Sequence, residues 1–166
     1  MGRRLSILIV GTCLAIAACS SGSTAPTNAD LAEQADLTEH WPCGIGFAAS
    51  NSDQTVALFV YSNNNEPHPP IRFPDSTWDA RLVLGQDLLA NHCDDVIEPG
   101  EPEPVIEEEW VINGGTLEFE DPGTELCAAP GPVTGSFTAL TGKNNAGTLE
   151  IGDLEVVNDS YGCFAG

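Results

Sequence analysis

From Trp41 to the end of the chain, short apolar runs alternate with polar turn clusters, and no run of useful length carries a helical period. This pattern predicts strands over Ile45–Ala49, Thr55–Tyr61, Ala80–Leu84, Val105–Ile112, Thr116–Glu120, Val133–Leu140 and Thr148–Val157. Asn51-Ser52-Asp53, Ser62-Asn63-Asn64-Asn65, Asn113-Gly114-Gly115 and Lys143-Asn144-Asn145 punctuate them. Pro67, Pro69, Pro70 and Pro74 make residues 66–76 an extended loop or edge segment, because proline cannot donate to a central ladder. Short strands with this punctuation predict an all-β fold, an antiparallel two-sheet sandwich of about seven to nine strands over residues 41–166, immunoglobulin-like in general architecture.

Two hairpins follow from turn chemistry. Asn113-Gly114 is a strong two-residue turn signal and would set Trp110 opposite Leu117. The second hairpin joins Gly135–Leu140 to Thr148–Val157 through Thr141–Gly147. Its return strand changes parity at Gly152-Asp153, where a β-bulge is expected. With the turn centred near Asn144 and Asn145, Cys127 and Cys163 flank the open end at nearly matched height.

Residues 1–18 have the form of an export signal: Arg3-Arg4, an apolar stretch from Leu5, and small residues before position 19. The stretch is short for a comfortable membrane span. Ile16-Ala17-Ala18-Cys19 resembles the lipobox of bacterial lipoproteins. The resemblance implies cleavage before Cys19, lipid on its sulfur and acylation of the new N-terminus. It also implies an extracytoplasmic chain anchored to the bacterial cell membrane. Ser20 is compatible with transport to an outer membrane, while inner against outer stays open. Residues 19–40 then read as a lipidated cysteine and flexible tether, with weak helical spacing over Ala29–His40. A flexible tether of this length reaches about 25 Å.

Charge narrows the partners. All 25 acidic residues follow Cys19, whereas Arg72, Arg81 and Lys143 are the only cations left after Arg3 and Arg4 depart with the signal. Nucleic acid is thereby disfavoured, because the summed field repels phosphate. Twelve carboxylates fall between Asp94 and Glu125, with no Lys or Arg between Arg81 and Lys143. Asp94, Asp95, Glu98 and Glu101 could supply oxygen ligands to calcium, although neither an EF-hand nor a glycine-rich nonapeptide repeat accompanies them. The plainer reading of this acidic, proline-rich stretch is a solvated spacer, and no other cofactor is implied.

Cys13 leaves with the signal and Cys19 takes lipid, so Cys43, Cys93, Cys127 and Cys163 remain. An even count in an exported chain implies two disulfides. Four cysteines allow three pairings; the hairpin favours Cys127–Cys163, which leaves Cys43–Cys93.

Catalytic signatures are lacking: there is no G-x-S-x-G elbow and no H-E-x-x-H. His92, beside Cys93 and Asp94, reads as a surface histidine, with metal ligation or general-base work as the alternative. Trp41, Trp78, Trp110, Tyr61 and Tyr161 read first as core and second as a binding platform. The expected function is a non-catalytic binding or interaction domain, held at the membrane through Cys19; its ligand stays open, a cell-envelope protein or glycan being the candidate partner. A calcium-dependent module and a cell-envelope hydrolase are the alternatives. The hydrolase requires a concave pocket holding His92 or a perturbed carboxylate.

Overall fold

The computed structural model describes residues 36–41, 44–63, 68–90, 92, 100, 102–121 and 131–162. Its elements are β1 (Glu39–Trp41), β2 (Gly46–Ser50), β3 (Val56–Ser62), β4 (Ile71–Arg72), β5 (Trp78–Gln86), β6 (Val105–Glu118), β7 (Val133–Lys143) and β8 (Thr148–Asn158). No helix occurs among the described residues. All pairings are antiparallel, in the order β1-β2-β3-β5-β6-β7-β8, with β4 on β6. The expected antiparallel all-β chain is therefore present, but its strands share one hydrogen-bonded path where two sheets were expected. That path curls into a half-barrel, so its two ends face each other across one core.

β3 shows why the curl works. Val56-Ala57-Leu58-Phe59-Val60 is apolar at every position, the pattern of a strand covered on both faces. Val56, Leu58 and Val60 point into the main core with Phe47, Trp78, Leu82, Trp110, Leu117, Phe137 and Val156. Ala57 and Phe59 point outward, where Ala48, Val83, Leu88 and Leu89 cover them. Inside the curl, Phe47 meets Phe119, Phe137 and Tyr161 at ring distances of 5.4, 5.9 and 5.5 Å. Gly135 makes room for it, since a Cβ there would stand 2.8 Å from the Phe47 ring.

The hairpin expected at Asn113-Gly114 does not form. β6 runs straight through it as one strand of 14 residues, pairing with β7 on both sides of the dipeptide. On its other edge β6 passes from β5, opposite Val105–Val111, to β4, opposite Thr116 and Leu117. The Asn-Gly sequence serves instead as a bulge, with register shifts on either side of Gly114. Gly115 takes φ +102°, and a Cβ there would come within 2.8 Å of the Thr138 carbonyl oxygen. Trp110 consequently faces Leu82, while Leu117 faces Phe137 and Ile71. A turn would have used the flanks on each other; the sheet satisfies them with β4, β5 and β7 together.

The β7–β8 hairpin is found, with its turn over Asn144–Gly147, about one residue later than expected. Asn144 Oδ1 accepts from the N–H of Ala146 and Gly147 at 2.7 and 3.2 Å. The expected bulge is also present: Gly152 has φ +90° opposite Leu140, and Asp153 Oδ1 accepts the Ala139 N–H at 2.7 Å.

β1 was not anticipated, and it draws Glu39 and His40 out of the expected tether into the sheet. Its contact with β8 runs through side chains: His40 Nδ1 accepts the Val157 N–H at 3.3 Å. Asn158, fully buried, donates from Nδ2 to the Gly44 and Gly46 carbonyls at 3.3 and 2.8 Å. These bonds hold the last strand against the second and keep the sheet curled. Of the segment expected at an edge, residues 68–76 are described, and they contribute the two-residue β4.

Candidate functional site

The outer face of β3 and β5 carries a cavity of about 160 Å³, lined by Phe59, Tyr61, Arg81, Val83, Leu88, His92, Pro104 and Ile106. Strand parity places four of these. Phe59 and Tyr61 are alternate outward positions of β3, and Arg81 and Val83 are alternate outward positions of β5, with Phe59 directly opposite Arg81. Ile106 arrives through a further bulge: Gly85 pairs with Ile106 and Leu84 with Glu108, so Glu107 is the extra residue. Without it, alternation from Trp110 would turn Ile106 inward. Gly85 permits the close approach, because a Cβ there would stand only 1.8 Å from the Val105 carbonyl oxygen.

The fourth wall is the turn after β5. The Leu88 N–H donates to the Gln54 carbonyl at 3.2 Å and the His92 N–H to the Leu89 carbonyl at 3.0 Å, folding the turn back over β3. Leu88 and Leu89 bury themselves on Phe59 and Val83. His92 is brought with them. Its ring lies 5.0 Å from Phe59, and its Nε2 is hydrogen-bonded to the Tyr61 hydroxyl at 2.7 Å. Burial holds the imidazole below its ordinary pKa. Burial likewise pushes the Tyr61 phenol up, against the opposing pull of the Arg81 charge. Burial thus favours the neutral form of both groups, and with Arg81 they are the polar members of a lining that is otherwise aromatic and aliphatic.

Arg81 is the cationic element. Its ion pair with Glu109 spans 3.7 Å between side chains that are 41 and 42% exposed, so the pair contributes little. Arg81 also continues a row across the sheet, Phe59–Arg81–Val111–Lys143, that holds two of the three cations found beyond Cys19. Val111, between them, is 54% exposed.

His92 is thus half-buried and partnered, where the sequence suggested an exposed side chain. Trp78, Trp110 and Tyr161 belong to the main core, whereas Trp41, like Tyr61, packs on the outer cluster. Cys19, the pairs Cys43–Cys93 and Cys127–Cys163, and the acidic ligands Asp94, Asp95, Glu98 and Glu101 all lie outside the described residues. Among the described residues no group of three or more His, Cys, Asp or Glu stands together as a metal site. No family model, curated protein or solved structure matches the chain.

The phenols predict an alkaline response. Tyr61 and Tyr161 are the only tyrosines, and both are pushed above the ordinary value of about 10, chiefly by burial. An unfolded chain releases these protons near pH 10 while the folded chain retains them, so stability is present below pH 10 and is lost as pH rises further. Tyrosinate absorbance should therefore grow only together with loss of the near-ultraviolet circular dichroism. A phenol titrating near pH 10 in the folded protein would contradict the burial.

Proposed function

We propose that this chain is an exported lipoprotein whose β domain is a non-catalytic binding module, held at the cell membrane through lipid on Cys19. Residues 19–40 are its tether, and the outer-face cavity of Phe59, Tyr61, Arg81, His92 and Ile106 is its ligand site. Cys43–Cys93 and Cys127–Cys163 are its two disulfides. The observation that carries the binding reading is the cavity: three rings, aliphatic walls, one arginine and one internally bonded Tyr–His pair converge on a concave outer face.

The hydrolase alternative asks for a concavity containing His92, and this cavity contains it. The binding reading is preferred because, among the described residues, its lining supplies no carboxylate, serine or threonine for His92 to activate or be oriented by. The calcium alternative rests on residues outside those described. An acidic surface also favours partners other than nucleic acid, in keeping with a protein or glycan of the cell envelope.

Two readouts test the proposal. Labelled fatty acid should be incorporated by the native chain, which should partition with membranes; Cys19→Ala should lose both. Single-ring organic probes should shift the proton resonances of the Tyr61 and His92 rings on titration. Labelling that survives in Cys19→Ala overturns the anchor, and ring resonances unmoved by every probe overturn the site.

A further inference from the structure

We infer that the outer-face cavity selects a small cyclic monocarboxylate, its ring held against Phe59, His92 and Ile106 and its carboxylate on the Arg81 guanidinium. This rests on the reading of that cavity as the ligand site.

Size comes first. A cavity of about 150 Å³ with apolar walls accommodates benzene, and this one measures about 160 Å³. One six-membered ring fills it, and a larger ligand would seat a single such ring here. The walls suit a ring as well. Phe59 and His92 are tilted at 47° with centroids 5.0 Å apart, and Tyr61 stacks on Phe59 at 6.3 Å and 27°. Such faces offer offset or edge contacts to a further ring.

Charge decides the substituent. The chain as a whole is strongly acidic, and aromatic walls alone would serve a cation. The lining contains Arg81, however, and among the described residues it is the charged group acting on the Tyr61 hydroxyl. Asp79 lies opposite Tyr61 and Glu109 opposite Val83, so two carboxylates border the site on the strand face without lining it. A ligand inside the cavity touches the guanidinium directly, while the remaining carboxylates act through salt solution with a screening length of about 8 Å. The contact charge wins for a monoanion. A polyanion, which must extend across the acidic surroundings, is still repelled.

Arg81 can also be spared. At 3.7 Å its contact with Glu109 is too long for a hydrogen bond, so the guanidinium fork keeps donors for a bidentate carboxylate. The Tyr61–His92 pair, already bonded to each other, adds two matched polar groups to the lining.

The test is a titration of the full chain with benzoate, benzyl alcohol, benzylammonium and acetate, followed at the Tyr61 and His92 ring resonances. Benzoate should bind about tenfold more tightly than benzyl alcohol or benzylammonium, the worth of one charge-assisted contact. Acetate, lacking the ring, should bind more weakly than benzoate. Arg81→Gln should abolish the preference for benzoate while keeping benzyl alcohol binding, which also shows that the variant is folded. Ile106→Glu, at a position already 53% exposed, should weaken benzoate selectively. Equal or stronger binding of benzylammonium, or a benzoate preference that survives Arg81→Gln, overturns the inference and leaves the ligand site standing. Ring resonances that respond to none of the cyclic probes overturn both.

Discussion

Phe47→Ala is expected to lower the unfolding free energy by about 3–5 kcal/mol, a large part of the stability of any single domain. Phe47 is 1% exposed and is the ring on which the two sides of the curl meet. It touches Phe119 beyond the end of β6, Phe137 on β7 and Tyr161 beyond β8, all from its place on β2. Deleting the ring removes its transfer free energy and two edge-on aromatic contacts, each adding about 0.5–1.5 kcal/mol. It also opens a cavity that a curled sheet cannot easily collapse, because its backbone is fixed by ladders on both sides. Chemical denaturation of the purified chain measures this. Val111→Ala, on the exposed outer row, is the matched control and should change stability by less than about 0.5 kcal/mol. Equal effects from the two substitutions would mean that the curl is not held by its aromatic centre.

Much of this architecture is legible in the sequence, and what is hidden has common physical causes. The apolar positions of β2, β3, β5, β7 and β8 mark those strands within one to three residues. The uninterrupted run Val56–Tyr61 already signals a strand covered on both faces, hence something packed outside β3. What covers it is less legible: Leu88 and Leu89 are too few to show a period, and only the fold reveals that their turn lies back over Phe59. The Asn113-Gly114 signal misleads because a turn and a bulge ask for the same residues; which one forms depends on whether neighbouring strands claim both flanks. Here β4, β5 and β7 do.

The site suffers from the same dependence on partners. Arg81, Phe59 and Tyr61 share a face by simple alternation, yet Ile106 joins them only because Glu107 is extra against β5. His92 reads as a surface residue from its polar neighbours, and becomes half-buried because the leucines ahead of it are buried. Two-sheet and curled one-sheet arrangements, moreover, put the same alternating residues inside. The difference lies in how the ends meet, and in this chain that meeting has, beside the Phe47 ring, one buried amide side chain.

That side chain is Asn158, and Asn158→Asp should convert the closure of the sheet into a pH-dependent one. The native amide gives both donors to the Gly44 and Gly46 carbonyls and accepts the Ser160 N–H at 2.9 Å on Oδ1, with no exposure to water. A carboxylate of the same shape would set negative charge against two carbonyl oxygens. Burial and these acceptors both disfavour the ionised form, so the folded pKa of the new group is raised above its unfolded value of about 3.9. The sign follows: the folded state holds a proton that the unfolded state releases, so stability is retained below about pH 4 and lost as pH rises. The loss runs at about 1.4 kcal/mol per pH unit until the folded group itself ionises, or about 3–4 kcal/mol by pH 7. Asn158→Ala supplies the comparison: it leaves the carbonyls without donors at a cost of about 1–3 kcal/mol, with no pH dependence of its own. Denaturation of the three proteins at pH 4 and pH 7, each referred to the native chain at the same pH, separates the two effects. An aspartate variant equally displaced at both values would show that position 158 fills space without closing the sheet; a deficit that opens with pH assigns the closure to its hydrogen bonds.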